Sequence, residues 1–276
     1  MTMKNNNNLK AHLFLQTMKF RLTLCIRNLN AFAGALALLI LLVSGRALAQ
    51  TAPPFSNDMF MDNKTFTFLI FDRLEYSSIN GPDPLVLDAQ GWIGKDFHKF
   101  WFKIEGDAQT TEKEGEMEIQ GLYSRGISSY FDFQAGLRYD MSYNAKDNNS
   151  RGFAVIGIQG LAPYLFEVDG SVQFSQDGDI SASFEGELDL LVTQRIIAQP
   201  RFTTNLALQE VEEWGVGSGI NDIQLGFRLR YEIRREFAPY IGISWNRQLG
   251  QTADLAREEG GEASNFGLVG GVRMWF

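Results

Sequence analysis

Apolar and polar residues alternate with a period of two over most of the chain beyond residue 64. Within residues 99–109, Phe100 and Phe102 share one face of an extended chain, whereas Lys103 and Glu105 share the other. The same division recurs in residues 130–140 and 223–233. Period-two alternation predicts β-strands with two different faces, one suited to lipid and one suited to water.

Glycine, proline, asparagine and charged clusters divide this region into twelve candidate strands. They are 65–77, 85–95, 99–110, 115–124, 129–142, 152–161, 164–176, 180–191, 195–207, 222–234, 239–249 and 265–276. Most are near the roughly 9 to 11 residues with which a tilted strand crosses a bilayer. The pattern therefore predicts an all-β fold, a transmembrane antiparallel β-barrel of about 12 strands over residues 64–276.

The connections between these strands alternate in length, as they do in outer-membrane barrels. Short turns near residues 96–99, 162–163 and 235–238 are assigned to the periplasmic side, and the longer loops 208–221 and 250–264 to the extracellular side. Two strands fit the pattern poorly: the sixth has apolar residues on both faces, and the ninth contains Pro200.

A soluble exported β-sandwich or β-barrel would also alternate and is the main alternative fold. Three features favour the membrane barrel. The apolar faces stay apolar along whole strands, the strand count is even, and the chain ends in an amphipathic strand closing on Phe276. That ending resembles the signal by which bacterial outer-membrane barrels are recognised for assembly.

The first 49 residues have the layout of a secretory signal peptide, which is removed on export. Lys19, Arg21 and Arg27 precede an apolar run over residues 31–43, and a small-residue motif ends at Ala49. The run is shorter than the roughly 20 residues of a membrane-spanning helix. Residues 50–63 would then form a short periplasmic segment ahead of the barrel, which we call the pre-barrel segment.

Removal of residues 1–49 leaves 19 basic and 33 acidic side chains, a net charge of -14. Such an acidic chain is a poor nucleic-acid binder, because phosphate contacts need basic surfaces. The single cysteine, Cys25, lies in the removed segment, and His98 is the one histidine that remains. Disulfides and zinc sites made of several Cys and His residues are therefore excluded.

Several long runs are similar to the copper resistance protein B family. They are 151–170, 189–201, 217–222, 229–242, 251–254 and 272–276, and the similarity extends from about Met59 to the C-terminus. The resemblance implies a non-enzymatic outer-membrane protein of a copper-resistance system, with copper ions and a periplasmic multicopper oxidase as partners.

Members of that family often carry a segment rich in Met and His ahead of the barrel, but here the pre-barrel segment offers only Met59, Met61 and Asp62. Thioether sulfur is a soft ligand suited to Cu(I). The alternative is that these residues are apolar anchors at the barrel entrance. His98, predicted in a short periplasmic turn, is either a further copper ligand or a solvated turn residue. Its position does not favour a hydrolase, whose base would lie near an extracellular or lipid substrate.

The predicted lumen is rich in carboxylates. The acidic set is Glu105, Asp107, Glu116, Glu118, Asp132, Glu167, Asp169, Glu185, Glu187 and Asp189, and the basic set is Lys103, Arg138, Arg201, Arg228 and Arg230. The excess could form a cation-attracting path. The alternative, favoured for most of these residues, is a lattice of ion pairs that fills a narrow barrel.

The sequence therefore predicts an outer-membrane protein that binds or handles copper ions in copper tolerance. A passive cation-preferring pore is the first alternative. A soluble exported binding domain is the second.

Overall fold

A computed structural model of the chain describes residues 65–79, 84–109, 115–143, 148–258 and 260–276. These described residues form twelve strands and one α-helix, which we number in chain order. The strands are β1 (Phe66–Ile79), β2 (Pro84–Gly94), β3 (His98–Gln109), β4 (Gly115–Gly126), β5 (Phe131–Tyr143), β6 (Asn148–Ala162), β7 (Phe166–Ser175), β8 (Ile180–Leu188, resuming at Leu190–Leu191), β9 (Ile196–Ala207), β10 (Gly219–Tyr231), β11 (Phe237–Gln248) and β12 (Ser264–Trp275). The helix, α1, is Gly250–Glu258.

The strands form one closed antiparallel barrel. Each strand pairs with its neighbours in chain order, and β1 pairs with β12 from Ile70 opposite Trp275 to Ile79 opposite Gly267. Among the described strands, closure leaves no sheet edge unpaired, which is the condition for a sheet to reside in lipid. The predicted all-β barrel of twelve antiparallel strands is confirmed.

The two ends of the barrel differ in their connections. At the end where β1 starts and β12 stops, the turns 95–97, 127–130, 163–165, 192–195 and 232–236 have three to five residues. We call this the turn end. The opposite end, which we call the loop end, carries the longer connections 208–218 and 249–263.

The two long connections contact each other at the loop end. The backbone N–H of Gly217 donates to Thr252 Oγ1 at 3.0 Å, and the N–H of Ser218 donates to Gln251 Oε1 at 3.0 Å. These bonds hold α1 against the connection 208–218. In the part of the chain that the structure describes, no helix is both long and apolar enough to cross a membrane.

A bulge in β1 places two consecutive charged side chains in the lumen. The register of β1 shifts between Phe71 and Arg73 against β2, which makes Asp72 the extra residue. Asp72 accepts a hydrogen bond from Arg273 Nε at 2.8 Å, while Arg73 Nε donates to Asp88 at 3.0 Å. A bulge changes the direction in which the following side chains point. With strict alternation, either Asp72 or Arg73 would face lipid.

Pro200 lies where the pairing between β8 and β9 is interrupted. Arg201 is the first residue of β9 paired with β8 proper, whereas Ala198 pairs with Leu190 beyond the break. Proline has no N–H to donate to a ladder, so a break at this position is expected. The intervening Asp189 directs its carboxylate into the lumen, where it accepts from Arg230 Nη2 at 2.6 Å.

The outer surface of the barrel is apolar. Its exposed side chains include Leu74, Leu85, Phe100, Ile119, Phe133, Leu137, Ile156, Ile158, Phe184, Leu225, Phe227, Ile241 and Leu268. In β6, whose two faces are both apolar in sequence, Val155 is buried and lines the lumen, whereas Ile156 and Ile158 are exposed. The predicted signal peptide and the pre-barrel segment lie outside the described residues.

Leu137, at the middle of β5 and 70% exposed, tests the lipid-facing surface. Replacing it with arginine puts a charge in the hydrocarbon layer, and we expect Leu137→Arg to cost about 2–4 kcal/mol of unfolding free energy in lipid vesicles. The matched change Phe97→Arg, in a turn at the turn end, should cost about 0–1 kcal/mol. Equal effects of the two changes in urea titrations would contradict a lipid-facing β5.

Candidate functional site

Two cavities inside the barrel are stacked along its axis. One, of about 410 Å³, opens toward the turn end and is called the turn-end cavity. The other, of about 710 Å³, is called the loop-end cavity, and Trp214 and Thr252 from the long connections line it. Lys103, Glu105 and Glu185 line both cavities, so the two meet at a layer of charged side chains.

We call this layer the charged belt. Its members are Arg73, Asp88, Lys103, Asp169, Glu185 and Arg201. Arg201 of β9 lies between two carboxylates, with Nη2 at 2.5 Å from Glu185 Oε2 and 3.4 Å from Asp88 Oδ2. Because Asp88 is on β2, this contact crosses the lumen.

A second bridge of the belt crosses the lumen in another direction. Lys103 of β3 pairs with Asp169 of β7, four strands away in the barrel. The Lys103 side chain is only 9% exposed, so its ammonium group depends on this carboxylate for much of its solvation. The belt therefore narrows the lumen between the two cavities.

Arg228 and Glu75 form the most enclosed ion pair of the lumen. Arg228 Nε and Nη2 donate to the two Glu75 oxygens at 2.7 and 3.1 Å, a bidentate arrangement. The two side chains are 4% and 3% exposed. They come from β10 and β1, so this pair also ties non-neighbouring strands together.

Each basic residue predicted to face the lumen lies in an ion pair. Besides the pairs above, Arg138 contacts Glu118 at 2.6 Å and Asp140 at 2.7 Å, and Arg230 contacts Asp189 at 2.6 Å. This arrangement is the lattice of ion pairs that the sequence analysis favours over a cation-attracting acidic path.

The acidic residues of the predicted path divide into two groups. Glu118, Asp132, Asp169 and Glu185 are in ion pairs. Glu105, Asp107, Glu116, Glu167 and Glu187 have no ion pair within the described residues, although Gln199 Nε2 donates a hydrogen bond to Glu187. The lattice thus accounts for the basic residues and leaves a surplus of carboxylates.

Most of that surplus faces the turn-end cavity. Eight carboxylates line it: Asp72, Asp88, Glu105, Asp132, Glu167, Asp169, Glu185 and Glu187. Two lysines, Lys99 and Lys103, also line it, and both are already paired. The negative potential of this cavity raises the local concentration of cations.

Several lumen charges were missed by sequence reasoning: Asp72, Arg73, Glu75, Asp88, Arg151 and Arg273. Two successive charges, Asp72 and Arg73, within an apolar strand were a signal of a bulge. Once the bulge is placed in β1, alternation predicts that Glu75 faces the lumen, and alternation within β2 predicts the same for Asp88.

The predicted copper ligands are distributed as follows. His98, predicted in a short turn, is instead the first residue of β3 and is exposed on the outer surface at the turn end. Its Nδ1 lies 2.5 Å from the Tyr123 hydroxyl, and the two rings stack with centroids 6.0 Å apart. Met59, Met61 and Asp62 lie outside the described residues. Within the described residues, no group of three or more His, Cys, Asp or Glu is arranged to hold a metal ion.

Comparison with known proteins adds a family and a fold. Residues 65–276 match the family model described as "Copper resistance protein B precursor (CopB)". The chain is 38% identical over 208 residues to Copper resistance protein B of Escherichia coli, covering 75% of this chain and 69% of that protein. It is 36% identical over 215 residues to a Copper resistance protein B homolog of Pseudomonas syringae pv. tomato, covering 78% and 71%. Among solved structures, the NanC porin is similar in fold, with a TM-score of 0.50, 12% identity and coverage of 75% of this chain and 98% of that one.

The Glu75–Arg228 pair provides a test of the lattice. Glu75→Leu leaves the buried guanidinium of Arg228 without its carboxylate, and we expect a loss of about 3–5 kcal/mol in the free energy of unfolding. The double variant Glu75→Leu, Arg228→Leu removes both charges and should lose less. Urea unfolding in detergent micelles measures both, and a double variant no more stable than the single one would contradict the pairing.

Proposed function

The chain belongs to the copper resistance protein B family, and from that premise we propose that it is an outer-membrane protein that binds copper ions at the turn end of its barrel. The observation that carries the proposal is the family match, which covers the whole barrel from residue 65 to 276. A closed barrel with an apolar outer surface supports residence in the outer membrane.

In the proposed orientation, the turn end faces the periplasm and the loop end faces outward. Short turns on the periplasmic side and longer loops on the other are the rule for outer-membrane barrels. The described chain starts and finishes at the turn end, with Thr65 ahead of β1 and Phe276 after β12. Copper in the periplasm, and a periplasmic multicopper oxidase as the proposed partner, would thus meet the turn end.

The proposed copper ligands are the sulfurs of Met59 and Met61, assisted by Asp62 and His98. Two methionines separated by one residue point the same way in an extended chain, so both sulfurs can face one ion. Thioethers favour Cu(I), whereas carboxylates alone favour hard ions. The turn-end cavity would supply cations to these soft ligands without selecting among them.

Competition for Cu(I) tests this proposal. We expect refolded residues 50–276 in detergent to withdraw Cu(I) from a chromogenic chelator, and Met59→Leu, Met61→Leu to weaken binding at least tenfold, about 1.4 kcal/mol. Leucine keeps the volume and removes the sulfur.

The matched control is Met117→Leu, Met141→Leu, which changes two methionines paired across β4 and β5. It should bind as the unaltered chain does. The proposal fails if the unaltered chain does not compete for Cu(I), or if both double variants compete equally well.

A passive cation-preferring pore is the second candidate function. The surplus of carboxylates in the turn-end cavity favours it, because acidic walls select cations by charge. The charged belt opposes a wide pore, since its ion pairs cross the lumen between the two cavities. The expected pore is therefore narrow.

Planar-bilayer recordings under a KCl gradient test this candidate. We expect a small conductance with a reversal potential that indicates K⁺ preference. Glu105→Gln, Glu167→Gln should shift the reversal potential toward zero, because both carboxylates line the turn-end cavity. The control Glu212→Gln, Glu213→Gln, in the connection 208–218, should change it less. Anion preference, or absence of conductance, would dismiss the pore.

A further inference from the structure

The connection 208–218 at the loop end is folded on itself. Val211 and Val216 form a bridge in which each backbone N–H donates to the carbonyl oxygen of the other, at 2.7 and 3.2 Å. A short 3-10 turn, Glu212–Trp214, lies between them. Because its own backbone bonds hold its shape, this connection can move as one body.

This connection and α1 lie across the loop-end mouth of the lumen. Val211 and Trp214 of the connection and Thr252 of α1 line the loop-end cavity, whose other walls are barrel strands. Thr252 and Ala253 are 7% and 4% exposed, so one side of α1 is turned into the protein. We call residues 208–218 and α1 together the loop-end lid.

The two parts of the lid are joined by a small number of hydrogen bonds. Besides the bond from the Gly217 N–H to Thr252 Oγ1, the backbone N–H and the hydroxyl of Ser218 both donate to Gln251 Oε1, at 3.0 and 2.5 Å. The bonds to Gln251 are exposed to solvent. Exposed hydrogen bonds exchange with bonds to water at little net cost, so a contact of this kind can open and close.

Glycines lie where the two parts of the lid join the barrel. Gly219, the first residue of β10, has a φ of 100°, and Gly250, two residues after β11, has a φ of 53°. Glycine adopts both this left-handed region and the ordinary one. In the described structure no atom lies within 4 Å of a Cβ built at either position, so both have room to change conformation. Hinges absorb such changes of backbone angle.

Gly217 allows the two parts of the lid to approach closely. A Cβ at this position would lie 2.4 Å from the backbone nitrogen of Thr252 and 2.5 Å from Gln251 Cβ. Both distances are far below van der Waals contact. A side chain at residue 217 would therefore force the connection and α1 apart.

We infer that the loop-end lid is a gate, closed in this structure, that opens by separation of Gly217 from Thr252 with Gly219 and Gly250 as hinges. Opening would admit solutes to the loop-end cavity. In the proposed orientation, the gate faces outward. The inference concerns access to the lumen and does not rest on copper binding at the turn end.

Labelling of a cysteine behind the lid tests the gate. Residues 50–276 contain no cysteine, so Ser244→Cys in β11 introduces a single reporter thiol. Ser244 lines the loop-end cavity and is 8% exposed. The rate of labelling by a neutral water-soluble maleimide is measured in detergent micelles. With the lid unaltered, we expect slow labelling that reaches completion, because the lid opens repeatedly.

Two variants favour the open lid. Gly217→Ala should speed labelling of Ser244→Cys at least tenfold, because the added methyl group does not fit against α1 in the closed lid. Thr252→Val removes the hydrogen-bond acceptor while keeping the shape of the side chain, and should speed labelling less. The matched control Gly121→Ala, in β4, places its methyl group at an ordinary 3.5 Å from the Phe100 ring and should leave the rate unchanged.

Ser124→Cys is a second reporter, which detects loosening of the whole barrel. Ser124 is 1% exposed, and its hydroxyl donates to Asp132, which lines the turn-end cavity. Its labelling rate should not respond to Gly217→Ala. An equal rise at both reporters would overturn the gate, and so would a Ser244→Cys rate that neither lid variant changes. Absence of labelling with the lid unaltered would make the lid a fixed cap and overturn its opening.

Discussion

Arginine and lysine side chains buried inside the barrel need carboxylate partners, and this requirement governs the lumen. Arg201, which is 7% exposed, is held between Asp88 of one wall and Glu185 of another. Lys103 and Asp169 cross the same space, and Arg228 and Glu75 connect β10 to β1. Breaking such a pair leaves an uncompensated charge and costs more than the pair gains. The ion pairs therefore fix the shape of the interior as firmly as an apolar core fixes that of a soluble domain.

Two consequences follow for function. The charged belt divides the lumen, so the loop-end cavity and the turn-end cavity lie toward opposite ends of the barrel. Three carboxylates without an ion pair, Glu105, Glu167 and Glu187, line the turn-end cavity, and Arg230 near the same end has a buried Nη1 without an acceptor among the described residues. Charge of both signs is thus available at the end that we assign to the periplasm. Copper-selective ligands are not part of this pattern, which is why the proposed copper site rests on the thioethers of the pre-barrel segment.

Much of the fold was predictable, because period-two alternation reports directly which face of a strand meets lipid. The twelve strands agree with the predicted ones, including β9 despite Pro200. Alternation could not locate the bulge at Asp72, nor the break at Asp189 that accompanies Pro200, since both depend on pairing between strands. Alternation identified Asp169 as a lumen carboxylate but did not identify Lys103 as its partner, because contacts between β3 and β7, or between β2 and β9, arise only when the barrel closes. A cavity of about 210 Å³ at the turn end likewise combines residues of β1, β10, β11 and β12 with Arg235 of a turn.

Growth in the presence of copper tests most directly whether this barrel serves copper tolerance. A host strain lacking the gene would be complemented with the full chain or with the chain lacking residues 50–63, at matched levels in the outer membrane. We expect the strain without the gene to be copper-sensitive, the full chain to restore growth, and the shortened chain to restore it incompletely. Unchanged copper sensitivity on loss of the gene would contradict the account.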